Sequence, residues 1–146
     1  MNSNKLLLGL LFAVQIVLGQ TKSDSILKQL SKQHQFAKMD SLNSKEKGKD
    51  YYFYKGLYAN VCNKPKLSNQ YLDSLKNNEL INTYEFAKLK DDNYIKLFSY
   101  NSAYMASKVL TMKFQQRFTK EELQDEINTQ QIWKTLRGTR PQSIDK

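Results

Sequence analysis

The sequence predicts an all-α protein made of helical hairpins that stack on one another. Turn-forming residues are scarce, because beyond residue 20 the chain has only Gly48, Gly56, Gly138, Pro65 and Pro141. All-β folds need many such residues, so their scarcity favours helices. Of the 146 residues, 40% are hydrophobic and 12% are aromatic, which is enough for the core of one domain. The hydrophobic residues also recur at steps of three and four, the spacing of one face of an α-helix.

Residues 1–20 have the pattern of a secretory signal peptide. Lys5 provides the positive start, the thirteen residues from Leu6 to Leu18 are almost all apolar, and Gly19 is small enough for a signal-peptidase site. A helix of that apolar run rises only about 20 Å, which is short of the roughly 30 Å of a membrane's hydrocarbon core. We therefore expect cleavage after Gly19 or Gln20, no membrane-spanning segment after it, and a location in the bacterial periplasm or outside the cell.

Residues 21–138 form the predicted helical domain, and its first part holds two short helices that end at about residue 45. A polar stretch from Ser31 to Gln35 is predicted to turn between them, and Gly48 indicates a helix stop after them. Their apolar positions are Ile26, Leu27 and Leu30 in the first helix and Phe36, Met39 and Leu42 in the second.

Four further helices follow with the same spacing. One begins after Asp50 and is ended by the run Cys62–Pro65, since proline lacks a backbone donor and restricts the residue before it. The next carries Leu67–Leu75 and completes a hairpin. A longer helix is predicted from about Leu80 to Phe98, and its hairpin partner from Ser102 to about Arg117.

The last predicted helix starts at a capping box, in which the Thr119 hydroxyl and the Glu122 carboxylate each accept a backbone N–H of the other residue. It ends at Gly138, and residues 139–146 are predicted to be a tail or the start of a linker. The expected apolar face of this helix comprises Leu123, Ile127, Ile132, Trp133 and Leu136.

Two of the hairpins superimpose with a shift of 35 residues. The shift places Ser68 on Ala103 and Leu75 on Leu110, so a small residue and a large apolar residue recur at matching points. This period and layout resemble the tetratricopeptide repeat, a helix–turn–helix unit of about 34 residues. The resemblance implies a short solenoid, in which the first helix of each hairpin lines a concave face. An irregular helical bundle is the alternative.

Two segments resemble the N-terminal helical region of exported bacterial aspartyl proteases of the retropepsin-like kind. The first is Asp92–Ala103, and the second is Asn128–Leu136 followed by Arg140–Gln142, which is similar to the stretch that joins the helical region to the protease domain. The family's catalytic chemistry uses paired aspartates in Asp-Thr-Gly or Asp-Ser-Gly turns. Neither tripeptide occurs in this chain, so the resemblance covers only the accessory helical region.

Other catalytic and metal-binding patterns are missing from the sequence. The single histidine, His34, lies in a polar stretch without a spaced partner for a metal ion. The chain has no Gly-x-Ser-x-Gly motif and no glycine-rich phosphate loop. Cys62 is the only cysteine, so it has no disulfide partner within the chain, and we expect it to pack as a small hydrophobe. The sequence therefore predicts a chain that is not an enzyme and needs no metal or cofactor.

The chain is basic, with a formal net charge of +9. Twenty of its 23 basic residues are lysine, and they are spread along the chain. Nucleic-acid sites favour arginine and clustered basic patches. Scattered lysines instead indicate a solvated surface, so no nucleic-acid partner is expected.

The aromatic residues suggest a binding surface. Tyr51, Tyr52, Phe53 and Tyr54 are consecutive, so they cover a full helical turn and cannot all face one core. Some must pack against a neighbouring repeat or line a groove that binds a protein or peptide. The concave face of the predicted solenoid would be lined by Asp50, Phe53, Leu57, Asn60, Glu85, Lys88, Asp92 and Lys96. We interpret the chain as an interaction module or, alternatively, as the accessory region of an aspartyl protease whose catalytic domain is missing.

Overall fold

A computed structural model describes residues 24–76 and 78–137, and these residues form helices and turns without a strand. The predicted all-α class is therefore confirmed. Two short 3-10 helices, Glu79–Asn82 and Gln115–Arg117, lie between the longer elements. The α-helices are α1 (residues 24–32), α2 (Phe36–Glu46), α3 (Tyr51–Val61), α4 (Pro65–Asp73), α5 (Tyr84–Lys96), α6 (Tyr100–Lys113) and α7 (Lys120–Leu136).

The three hairpin turns have the same backbone geometry. His34, Asn63 and Phe98 each adopt a left-handed conformation, with φ of 57°, 54° and 53°. In each turn, three consecutive backbone N–H groups donate to earlier carbonyls at 2.8–3.0 Å. The residue before the left-handed one donates four positions back, the left-handed residue itself three positions back, and the residue after it five positions back. The hairpins α1–α2, α3–α4 and α5–α6 are therefore structural repeats, offset by 29 residues (34 to 63) and then 35 residues (63 to 98).

Small residues allow the helices of a hairpin to approach closely. Gly56 in α3 faces Leu72 in α4, and a Cβ on this glycine would lie 3.0 Å from the Leu72 side chain. Ser68 and Ala103, the two small positions that the 35-residue shift aligns, are both fully buried. The main core then runs through the first five helices and consists of Leu27, Met39, Phe53, Tyr54, Leu72, Leu75 and Leu89.

The helix predicted from Leu80 begins later, at Tyr84. The Asn78 side chain accepts the backbone N–H of Leu80 at 2.8 Å, and the Thr83 hydroxyl accepts that of Phe86 at 3.3 Å. These two local side-chain bonds stabilise a 3-10 turn and a new helix start in place of one continuous helix.

Helix α7 has the predicted capping box, with Thr119 and Glu122 bonded reciprocally. Its predicted apolar face is buried only in part: Leu123, Trp133 and Leu136 are half-buried, but Ile127 and Ile132 are 37% and 55% exposed. Gln130 is buried in their place. Its amide donates to the Thr111 hydroxyl on α6 at 2.9 Å, so a polar contact sets the orientation of the helix.

Cys62 is exposed, so the expectation that it packs as a small hydrophobe is wrong. The residue follows the last turn of α3 and lies in the hairpin turn, where side chains point to solvent. The predicted signal peptide, the helix stop at Gly138 and the tail all fall outside the described residues.

Candidate functional site

The described part of the molecule contains an open groove of about 860 Å³. Its walls are α1, α3 and α5, the first helices of the three hairpins. The 3-10 helix Glu79–Asn82 closes one side with Leu80. The lining residues are Asp24, Ser25, Lys28, Ser31, Lys32, Lys49, Asp50, Phe53, Tyr54, Leu57, Leu80, Thr83, Tyr84, Glu85, Lys88, Leu89 and Asp92.

The floor of the groove is apolar and continuous with the core. Phe53 and Leu89 are buried, while Leu57 is half-buried and packs against the core from the groove side. Tyr54 contacts Phe53 edge to face, with ring centroids 5.4 Å apart. In contrast, Tyr52 stacks on Tyr71 of α4, away from the groove. Phe53 and Tyr54 therefore line the groove, whereas Tyr52 packs against α4, the second helix of the same hairpin.

Six of the eight predicted binding residues line this groove: Asp50, Phe53, Leu57, Glu85, Lys88 and Asp92. The other two, Asn60 and Lys96, bond to one of them at its edge. The Asn60 amide donates to the Asp92 carboxylate at 2.7 Å, and the Lys96 ammonium lies 2.7 Å from it. Burial alone would raise the pKa of Asp92, but the bonds from Lys96 and Asn60 hold it below its ordinary value. Asn60 and Lys96 therefore position Asp92.

Sequence reasoning missed the wall that α1 provides. When the offsets of 29 and 35 residues between the turns are applied, Lys28 aligns with Leu57 and Asp92 of the other two hairpins. The first offset is 29 residues, so a search with a fixed shift of 35 does not align α1. Aligning the left-handed turn positions would have revealed it, but no single residue type marks them.

Two carboxylates lie near each other in the groove, Asp24 on α1 and Asp50 immediately before α3. Asp24 and Asp50 both line the groove there, and burial followed by the charge of Asp50 raises the pKa of Asp24. Burial, reinforced by the same two carboxylates, raises the pKa of Tyr54 to about 12. Asn78 donates to Asp50 at 3.1 Å, and the Lys49 charge partly offsets the repulsion at Asp24.

A buried polar cluster lies behind the α5 wall. Asp91 is fully buried; one of its oxygens is 3.3 Å from the Lys88 ammonium, and the other accepts no hydrogen bond from the described residues. Burial raises the pKa of Asp91 to about 6, with Lys88 opposing the shift. Lys88 also lies 4.0 Å from Glu126 on α7, which accepts the Ser107 hydroxyl at 2.5 Å. The groove residue Lys88 is therefore tied to this cluster.

The described residues offer no arrangement for metal chemistry, because no group of three or more histidine, cysteine, aspartate or glutamate side chains converges among them. Within the same ranges, none of the helices has the length and apolar character needed to cross a membrane.

Comparison of the chain with protein-family models, with curated proteins and with solved structures found no match. The resemblances to tetratricopeptide repeats and to the accessory region of aspartyl proteases therefore stay predictions from the sequence.

Proposed function

We propose that this chain is an exported, non-catalytic helical-repeat module that binds a segment of another protein in the groove between α1, α3 and α5. The observation that carries the proposal is the groove itself, with its volume of about 860 Å³ and its apolar floor. Concave sites with an apolar lining and a few polar groups are the usual place for a ligand. Export rests on the signal-peptide pattern of residues 1–20.

A macromolecular ligand fits this site better than a small molecule. The groove spans three helices and opens to solvent along its length, so it does not enclose a ligand. A helical or extended peptide that lies in such a groove buries alternate apolar side chains while its polar side chains stay at the rim. Phe53 and Leu57 would receive the apolar side chains.

A blocking substitution tests the proposal without removing core contacts. Ser25 is exposed and lines the groove, so Ser25→Trp fills the groove while the helix remains intact. Ser41→Trp adds the same bulk to an exposed position of α2 and serves as the control. Peptides selected from a random 12-residue library by residues 21–146, the chain after the predicted signal-peptide cleavage, are then measured by fluorescence anisotropy against both variants.

We expect Ser25→Trp to weaken the selected peptides at least tenfold and Ser41→Trp to leave them unchanged, with matching circular dichroism. Equal affinity for the two variants, or no enriched peptide, would refute groove binding. The accessory-region alternative has a separate test. An Asp-Thr-Gly turn in a β-rich segment encoded after Lys146 would support a protease parent, and unrelated sequence would count against it.

A further inference from the structure

The charges that line the groove differ in whether the protein already pairs them. Asp92 is paired with Lys96 at 2.7 Å, and Glu85 with Arg117 at 2.6 Å. Lys88 is held by Asp91 and Glu126 in the buried cluster. These charges already have partners, so they are less available to a ligand.

The lysines of the α1 wall are different. Lys28 and Lys32 are exposed, line the groove and form no ion pair among the described residues. They are four residues apart on one helix, so their ammonium groups project from the same face. Lys49 also lines the groove without an ion pair, and its charge opposes part of the rise that burial and Asp50 cause in the pKa of Asp24.

Two of the three unpaired lysines, Lys28 and Lys32, therefore lie together on α1. Asp24 and Asp50 lie near one another with Lys49 beside them, whereas Lys28 and Lys32 lie one and two turns further along α1 than Asp24. Beside Asp24 and Asp50 a carboxylate of the ligand meets charges of both signs, whereas beside Lys28 and Lys32 it meets positive charge alone. The apolar floor of Phe53, Leu57 and Leu89 runs below both.

We propose that the groove selects an acidic amphipathic peptide segment, whose apolar side chains contact Phe53, Leu57 and Leu89 and whose carboxylates pair with Lys28 and Lys32. The inference rests on the proposed function and specifies the ligand class for the same groove. Complementary charge at a rim mainly supplies specificity and a salt-dependent association rate, while the apolar contacts supply affinity.

The test compares two fluorescein-labelled 16-residue peptides with identical leucine and phenylalanine positions. One carries glutamate at its polar positions, and the other carries lysine there. We expect residues 21–146 to bind the glutamate peptide about tenfold more tightly at low salt, since two rim ion pairs contribute an effect of this order. The difference should shrink as salt rises and screens the exposed charges.

The net charge of the chain is +9, so general attraction of acidic peptides must be separated from recognition in the groove. The variant Lys28→Glu/Lys32→Glu is compared with Lys38→Glu/Lys45→Glu, which changes two exposed lysines of α2 by the same total charge. We expect the first variant to lose the preference for the glutamate peptide and the second to retain it.

Three results would overturn the inference. They are a preference for the lysine peptide, equal loss of preference in the two charge variants, and tight but charge-independent binding. In the last case, sensitivity of both peptides to Ser25→Trp would leave the proposed groove function standing. Binding of neither peptide, or binding that Ser25→Trp does not weaken, would remove both proposals.

Discussion

The second and third hairpins share a backbone design but fill the same positions with opposite chemistry. Gly56 and Leu72 meet between α3 and α4, where the glycine admits the buried leucine side chain. The positions 35 residues later are Asp91 and Ser107, and both are fully buried. An apolar contact in one hairpin is thus replaced by a polar cluster in the next.

The difference follows from what lies beside each hairpin. Helices α3 and α4 pack into the main apolar core, so burying Leu72 stabilises the fold directly. Helix α7 packs against α6 and brings Glu126 and Gln130 to it. There the buried polar groups need partners: Ser107 and Gln130 bond across the contact between α6 and α7, whereas Asp91 is paired with Lys88 of its own helix. We therefore expect the contribution of the polar hairpin to stability to depend on pH through Asp91, and that of the Gly56–Leu72 contact to be independent of pH.

Leu72→Ala should have the largest effect on stability. Leu72 is 1% exposed and fills the space that Gly56 leaves, so its truncation removes buried area and creates a cavity. We expect the free energy of unfolding to fall by about 2–5 kcal/mol in urea denaturation. Leu67→Ala, at a 37% exposed position of the same helix, is the control and should cost much less. A similar cost for the two would contradict the apolar description of this hairpin.

Asp91→Asn should stabilise the protein, in a way that depends on pH. The folded-state pKa of Asp91 is about 6, above its ordinary value of 3.8, so the folded protein holds this proton more tightly than the unfolded chain. The contribution of Asp91 to the wild-type free energy of unfolding therefore rises as the pH falls from above 6 towards 4, because the folded protein takes up this proton first. The asparagine variant should be more stable at pH 8 by about 1–3 kcal/mol and lose this advantage near pH 4.

The check on Asp91 is thermal unfolding between pH 4 and pH 8. Asp125→Asn, at an exposed position of α7, is the matched control and should follow the wild-type pH dependence. An asparagine variant whose advantage over wild type is constant with pH would show that Asp91 is ionised normally in the folded state.

Ser107→Ala should have the smallest effect of the three and should sharpen the description of the polar cluster. The substitution removes the hydroxyl that donates to Glu126 but leaves the backbone and the volume nearly unchanged. We expect a loss of about 1–2 kcal/mol, the usual cost of leaving a partly buried carboxylate without a donor. Ser102→Ala on the same helix is the control, and equal values for the two would mean that the bond to Glu126 contributes nothing.

Much of the local structure followed from the sequence. The capping box at Thr119, the helix end before Pro65 and the apolar spacing around Tyr54 all depend on residues close together along the chain. The 35-residue shift also places the turn at Asn63 on the turn at Phe98. The shift could be recognised because each of the two hairpins has a small residue, Ser68 or Ala103, at the matching point of its second helix, and both are buried.

The candidate site was only partly predictable. Spacing along α3 and α5 identified six residues of the groove, but the α1 wall with Lys28 and Lys32 was missed because its hairpin is offset by 29 residues. Lys96 is not a free surface lysine, because its ammonium group is bonded to the side chains of Asn60 and Asp92. The pair with Asp92 has the i,i+4 spacing of one helix, whereas the bond to Asn60 joins two helices and leaves no regular spacing in the sequence.

By itself, the sequence determined that the chain is helical and where most helices begin and end, because capping, proline and apolar periodicity act within a few residues. Only the tertiary structure decided which polar residues are buried and which charges stay free. Gln130 lies in the interior while Ile132 is exposed, since Ser107 and Thr111 on α6 provide partners for its amide. Lys28 and Lys32 are unpaired because no carboxylate from another described helix reaches them. Both outcomes depend on distances between helices, which local spacing does not encode.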